Sequence, residues 1–158
     1  MTEAFIFTPL GPIEITASDK GIRSILFRSK PIVGEVIPAS LAGCATQLTE
    51  YFAGIRTNFT LDLDPEGTPF QQSVWAELQK IPFGSTVSYL EMAERLGDPK
   101  AVRAVGSANG KNPIAIVVPC HRVIGTGGKL VGYSGGLERK RWLLRHERAL
   151  TTSPDQLL

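Results

Sequence analysis

Along the first sixty residues the apolar positions fall mostly at every second place. Phe5-Ile6-Phe7 runs into Pro9 and Gly11-Pro12, Ile13 and Ile15 alternate with polar neighbours, and Ile22 and Ile25-Leu26-Phe27 follow Gly21. Period-two runs broken by Gly and Pro predict short strands in an antiparallel meander. The period then changes. Leu41, Ala45, Leu48 and Phe52 stand at helical spacing and predict a helix from Leu41 to Tyr51, ended by Gly54. Phe59, Leu61 and Leu63 alternate again and predict a further strand. Residues 65–69, Pro65-Glu66-Gly67-Thr68-Pro69, oppose both helix and sheet continuation and read as a linker. The expected organisation is an N-terminal domain over 1–64, the linker 65–69 and a C-terminal domain over 70–158.

The second domain is expected to be mainly helical. Val74, Leu78 and Ile81 make one apolar stripe, ended by Pro82, and Leu90, Ala93 and Leu96 make the next, ended by Gly97. Asp98-Pro99 combines an N-cap with the residue best tolerated at the first helical position, which predicts a helix from about Lys100 to Asn109 with Gly110 beyond it. Two helices joined by Gly97-Asp98-Pro99 suggest a helix-turn-helix. At 100° per residue Ala101, Ala104, Val105 and Ala108 share one side of the second helix, and Arg103, Gly106, Ser107 and Gly110 the other. Small residues let a backbone approach a partner closely. That face suits either tight helix packing with Arg103 reaching to water, or a helix laid in a nucleic-acid groove with Arg103 reaching in.

Composition narrows the setting. The 158 residues are 42% hydrophobic, enough for one good core or two small ones and unlike a disordered chain. Residues 2–20 lack the pattern of a signal peptide, and no apolar run approaches the ~20 residues of a spanning helix, so a cytoplasmic protein without membrane contact is expected. Charge is uneven: residues 1–64 carry five Lys/Arg against seven Asp/Glu, and residues 65–158 twelve against eight. The basic half is the second. Cys44 and Cys120 are the only cysteines and stand in unlike contexts, which suits a reducing compartment. With only His121 and His146 beside them, a structural metal is not expected.

Candidate chemistry centres on Pro119-Cys120-His121-Arg122, which follows the apolar run Ile114-Ala115-Ile116-Val117-Val118. A cysteine with a histidine at hand is how proteins make a thiolate nucleophile near neutral pH. On an extended segment adjacent side chains point apart, so direct proton exchange between Cys120 and His121 is awkward. Glu147, on the terminal helix, shares a side with Leu143 and Leu144 and should face inward, where a carboxylate requires a partner. Cys44, with no His or basic neighbour, reads as a structural thiol.

Phe70-Gln71 with Val74-Trp75, Ile81-Pro82 with Gly84, Ser88-Tyr89, Arg103-Ala104-Val105-Gly106, Asn112-Pro113, Pro119-Cys120-His121-Arg122-Val123-Ile124, Gly132-Tyr133-Ser134-Gly135-Gly136, and Leu143-Leu144 with Glu147 follow one another through the second half. In that order these motifs resemble those of the O6-alkylguanine-DNA alkyltransferases. The resemblance covers the second half closely and the first half loosely. It implies a two-domain α+β fold, in which a small N-terminal α/β domain carries an antiparallel, ribonuclease H-like sheet and the C-terminal domain is a winged helix-turn-helix. It further implies stoichiometric transfer of an alkyl group from guanine O6 in double-stranded DNA to the protein's own cysteine, after base flipping, with O4-alkylthymine a second candidate substrate. A thioether has no hydrolysable carbonyl, so the thiol would not be regenerated.

Residue by residue, the resemblance makes Cys120 the acceptor, His121 its water-linked base and Glu147 the carboxylate that orients His121. Asn112 would tie the helix-turn-helix to the cysteine segment. Tyr89 would meet guanine N3, and Arg103 would fill the space left by the flipped base, with Gly106, Ser107 and Gly110 against the DNA. Val123, Tyr133, Ser134 and Gly135 would line the base pocket: the Ser134 amide near O6, the carbonyls of Cys120 and Val123 near the exocyclic amine. Binding would be largely sequence-independent, through the minor groove, by a monomer with cooperative assembly on DNA left open. No cofactor and no metal is implied. Cys120 argues against the non-transferring relatives, which carry Trp at this place.

Two other readings compete. A helix-turn-helix regulator would use the thiol incidentally, but it reads base edges with several polar side chains, and the outer helix face offers only Arg103 among small residues. A Cys-His hydrolase needs its histidine from a distant segment, against the adjacency of Cys120 and His121.

Overall fold

Residues 2–29 and 36–149 are described by the computed structural model of the chain, and the expected outer ends of both domains, residue 1 and residues 150–158, lie outside them. The chain divides into two units, Met1–Glu66 with Pro113–Ala115, and Gly67–Asn112 with Ile116–Leu158.

In the first unit strands β1 (Thr2–Thr8), β2 (Gly11–Ala17) and β3 (Ile22–Phe27) form an antiparallel sheet in that order. The register pairs Ile6 with Ile13 and Ile15 with Ile25, so the alternating isoleucines share one face, and Ile13, Ile15 and Ile25 are fully buried. Helix α1 (Ala39–Phe52) packs on β1 and β2 with Leu41, Cys44, Ala45, Leu48 and Tyr51 buried. The meander and helix of the sequence reading are therefore present.

The strand expected over Phe59–Leu63 is not. Within that stretch only Leu63 bridges, in parallel, to Ile22, where the Ile22 amide donates to the Asp62 carbonyl at 2.8 Å and the Asp64 amide to the Ile22 carbonyl at 2.8 Å. The reason is competition for one edge. The Ile25 amide donates to Pro113 O at 2.9 Å and the Ala115 amide to Ile25 O at 3.0 Å, so residues 113–115 hold the rest of the β3 edge. Pro65, with no amide hydrogen, closes the other end.

The second unit begins with a capping box: the Gln71 amide donates to Thr68 Oγ1 at 3.1 Å, and the Thr68 amide donates to Gln71 Oε1 at 2.9 Å. Helix α2 (Pro69–Leu78) buries Val74, Trp75 and Leu78, and the Trp75 indole donates to the Ala108 carbonyl at 2.9 Å. Strand β4 (Val87–Ser88) leads into α3 (Tyr89–Arg95), capped by the Ser88 hydroxyl. Asp98 caps a 3-10 turn over Pro99–Ala101, which opens α4 (Val102–Gly110). Strand β5 (Val123–Ile124) pairs in parallel with β4, and α5 (Leu137–His146) ends the unit. Among the described residues no helix is long and apolar enough to cross a membrane.

Local boundaries differ from the periodicity. Helix α3 buries Met92 and Ala93 and leaves Leu90 exposed. Helix α4 starts at Val102 and includes Gly110, since the Asp98-Pro99 start first winds a tighter 3-10 turn. Its buried face is Val105, Ala108 and Asn109, with Ala104 exposed.

A methyl group on Gly21 would stand 2.5 Å from the Asp62 carbonyl oxygen, a backbone atom held in the bridge to Ile22. Gly21→Ala should therefore lower stability by about 1–3 kcal/mol, the range for forcing extra atoms into a packed site. Denaturant unfolding checks this; an unchanged midpoint would contradict the close approach.

Candidate active site

Cys120 opens a short 3-10 turn, Cys120–Arg122, rather than lying on an extended segment as expected. Pro119 restricts the backbone, and the turn is closed by the Cys120 amide on Val118 O at 2.8 Å and the Arg122 amide on Pro119 O at 3.0 Å. In a turn, neighbouring side chains are not forced to opposite faces. Cys120, His121 and Arg122 are all buried.

Glu147, just past the end of α5, brings a carboxylate to this turn. Its Oε2 accepts from His121 Nε2 at 2.8 Å and from an Arg122 terminal nitrogen at 3.0 Å, and its Oε1 accepts from Arg122 Nε at 2.8 Å. The other Arg122 terminal nitrogen donates to Ile81 O at 2.6 Å, and the guanidinium stands over the Phe83 ring at 5.9 Å from its centroid. The result is a buried Arg-Glu-His line. Burial pushes the Glu147 carboxyl up, but the hydrogen bonds and charges of His121 and Arg122 outweigh it and bring it down to about 2. Burial lowers His121, Glu147 raises it, and Arg122 and Lys140 lower it again; the net direction is down. A neutral imidazole that donates from Nε2 to Glu147 carries its lone pair on Nδ1. That Nδ1 is buried with no hydrogen-bond partner among the described residues.

Around the thiol, burial pushes the Cys120 pKa up, while the Asn112 amide, the Lys140 charge and its own backbone amide pull it down; the net direction is up. That direction favours the thiol over the thiolate. Asn112 donates from Nδ2 to Val118 O at 2.8 Å, which ties the end of α4 to the cysteine segment. The Lys140 ammonium is fully buried and donates to the carbonyls of Val123 at 2.6 Å, Val131 at 3.1 Å and Gly132 at 3.1 Å. Burial lowers its pKa to about 8, against the pull of Cys120. The Tyr89 hydroxyl donates to Val131 O at 3.1 Å, and burial followed by the nearby Cys120 raises its pKa. Burial does the same, more strongly, to Tyr133, with Cys120 the next cause.

Of the residues singled out from the sequence, Cys120, His121, Glu147 and Asn112 converge, with Tyr89, Tyr133 and Val123 around them. Arg103, Ser107 and Gly110 are exposed on α4. Gly106 departs from the outer face assigned to it: it is half-buried, and a Cβ there would meet the Tyr89 ring at 3.9 Å, because α3 packs on α4 along that side. Ser134 is exposed, and the Gly135 carbonyl accepts from Arg139 at 3.0 Å. Cys44 is buried and its thiol is pushed up to about 12 by burial. His146 is half-buried and stacks on Trp142 at 4.8 Å between centroids. Among the described residues no three His, Cys, Asp or Glu side chains gather as metal ligands would.

Three residues escaped the sequence reading. Arg122 lay inside the central motif but was given no task. Lys140 sits in a charged run, Arg139-Lys140-Arg141, that resembles a solvated face, yet it precedes Leu143, Leu144 and Glu147 by three, four and seven places and so shares their buried stripe. Asn109 follows Ala108 on the buried side of α4 and donates to the Cys120 carbonyl at 3.3 Å.

Both units of the chain match known proteins. Residues 69–149 match the model of the 6-O-methylguanine DNA methyltransferase DNA-binding domain, and residues 1–65 match that of the ribonuclease-like domain of the same proteins. The chain is thus built like a two-domain methyltransferase of this class. A methylated-DNA--protein-cysteine methyltransferase of Methanosarcina acetivorans is 45% identical over 153 residues, covering 93% of this chain and 98% of its own length. One from Mycolicibacterium paratuberculosis is 60% identical over 111 residues, covering 70% and 67%. The crystal structure of the Mycobacterium tuberculosis O6-methylguanine methyltransferase superposes with a TM-score of 0.83 at 44% identity, covering 96% of this chain and 94% of that one. A structure of the same organism's protein in complex with DNA matches equally well, at a TM-score of 0.83. The chain belongs to the 6-O-methylguanine DNA methyltransferase family.

The Arg-Glu-His line has a pH signature. Glu147 is depressed on folding, so its pairing contributes stability above the unfolded carboxyl value near 4.5, and the contribution is lost as pH falls toward about 2. Glu147→Gln leaves a buried guanidinium without its counter-charge and should cost about 3–5 kcal/mol at pH 7. The gap from the parent protein should narrow steadily below pH 4.5. Denaturant unfolding of both proteins across pH 2–7 reads it; a constant gap would mean the carboxylate charge contributes nothing.

Proposed function

We propose that the chain repairs DNA by accepting the alkyl group of O6-alkylguanine onto Cys120 Sγ, once per molecule. The observation that carries this reading is the hydrogen-bonded line from Arg122 through Glu147 to His121, the residue that follows a buried thiol. His121 Nδ1 takes the thiol proton through a water, Sγ attacks the alkyl carbon in line, the carbon–O6 bond breaks, and guanine leaves. Tyr89 protonates the departing base at N3 and recovers its proton from the imidazolium through solvent, so protons balance. Glu147 steadies the imidazolium as the acid does in a Ser-His-Asp triad. Removal of the thiol proton on demand overcomes the unfavourable ionisation that burial imposes.

The exposed Arg103, Ser107 and Gly110 face of α4 supports contact with double-stranded DNA through the minor groove, with Arg103 occupying the space of the flipped base. The half-buried Gly106 keeps α4 against the Tyr89 ring instead. In this reading α3 and α4 form the helix-turn-helix and the short β4–β5 pair its wing, while the first unit is a ribonuclease H-like scaffold. The base pocket is bounded by Tyr89, Val123 and the loop through Tyr133, Ser134 and Gly135. The Val123 carbonyl, which already accepts from Lys140, offers its second lone pair to the guanine amine. O4-alkylthymine would be accepted by the same attack. The protein would act as a monomer in the cytoplasm. A regulator has no use for a buried thiol followed by a histidine held on a buried carboxylate, and this disfavours that alternative.

Incubation with duplex oligonucleotide containing O6-methylguanine, followed by intact and peptide mass measurement, should give one added methyl group on Cys120. No gain, or the same gain in Cys120→Ser, would overturn the reading. Arg103→Ala should slow repair of the duplex at least tenfold while leaving reaction with the free base within about twofold, since base flipping costs a few kcal/mol that only the duplex reaction pays. Equal loss on both substrates would assign Arg103 to packing.

A further inference from the structure

We propose that Arg122 is a positioning residue that keeps His121 available as a base, by neutralising the same Glu147 carboxylate that the imidazole bonds. Its kinetic consequence depends on the alkyl transfer proposed above; its structural content does not.

A carboxylate beside a buried histidine has two effects that work against each other in a proton acceptor. It fixes the ring and its tautomer, and it favours the imidazolium. A His121 already protonated at neutral pH could not take the Cys120 proton. Arg122 separates the two effects. Its guanidinium holds Oε1 through Nε at 2.8 Å and Oε2 through a terminal nitrogen at 3.0 Å, so the carboxylate charge is met before the imidazole adds its own bond to Oε2 at 2.8 Å. The remaining terminal nitrogen is anchored on Ile81 O at 2.6 Å, and the Phe83 ring covers the guanidinium face. A lysine could not fill these positions, because its ammonium lacks the planar fork that meets two carboxylate oxygens side by side while also reaching a carbonyl.

The charged and titratable groups facing His121 are consistent with this. Arg122 comes from its own turn, Glu147 from the end of α5, and Lys140 from within α5; Cys120 precedes it. Burial is the largest cause favouring the neutral ring, and the charges of Arg122 and Lys140 act with it against the one carboxylate. Once His121 accepts a proton, Oε2 is still bonded to Nε2, so the line orients the ring in both charge states.

The test uses the full chain and two readouts. Nitrogen-15 shifts of the His121 ring in the unsubstituted protein should show the neutral Nε2–H form at pH 7; an imidazolium there would overturn the proposal even if no variant folds. In Arg122→Gln the His121 titration midpoint, and with it the acid limb of the alkyl-transfer rate profile, should move up by about one pH unit or more, with about tenfold slower transfer on that limb and recovery toward the parent rate at higher pH. Arg122→Lys, which keeps the charge without the fork, should place the His121 midpoint between those of the parent and Arg122→Gln. A rate loss equal at every pH with an unmoved His121 midpoint would make Arg122 merely structural. Failure of the unsubstituted protein to transfer methyl at all would refute the function and leave the ring titration to judge Arg122 alone.

Discussion

A carboxylate buried at the end of α5 is the constraint on which the second unit depends. An isolated Glu147 charge at 1% exposure would cost several kcal/mol, and it is tolerated because Arg122 and His121 complete its hydrogen bonds. That requirement fixes the turn Cys120–Arg122 against the C-terminal helix, and the same turn presents the thiol. Among the described residues the buried polar or charged ones are Asn109, Asn112, His121, Arg122, Lys140 and Glu147. Each is bonded to the cysteine turn, to the segments flanking it, or to the Arg-Glu-His line. The unit has concentrated its costly buried polarity in one place.

Function in the proposed reaction follows from how those charges balance. Burial alone would leave Cys120 an inert thiol, as it does Cys44, whose pKa lies near 12 with no polar relief. At Cys120 the Asn112 amide and the Lys140 charge offset part of that penalty, and the open Nδ1 of His121 offers the proton somewhere to go. Lys140 also joins the carbonyls of Val123, Val131 and Gly132, so one ammonium both organises the loop beside Tyr89 and places positive charge near the sulfur.

Much of this was legible in the sequence because local signals agreed with the tertiary outcome. Alternating isoleucines gave the meander, Asp98-Pro99 gave the start of the turn before α4, and Leu143, Leu144 and Glu147 on one helical side gave the inward carboxylate. Other features were settled by partners distant in the chain. Phe59–Leu63 alternates like a strand, yet residues 113–115 occupy the edge it would need. Arg122 and Lys140 carry charges that ordinarily mark solvent. Only the Glu147 carboxylate and the loop carbonyls, which are not adjacent to them in sequence, turn them inward. The conformation at Cys120 depended on hydrogen bonds to Val118 and Pro119 that no periodicity encodes.

In the proposed reaction the free protein holds Cys120 as a buried thiol and gives up its proton only through His121. Thiolate absorbance in the ultraviolet, recorded against pH for the parent protein and for Cys120→Ser, tests this. No difference between the two is expected at pH 7, with Cys44 silent in both. A full thiolate band at pH 7 that disappears in Cys120→Ser would contradict it.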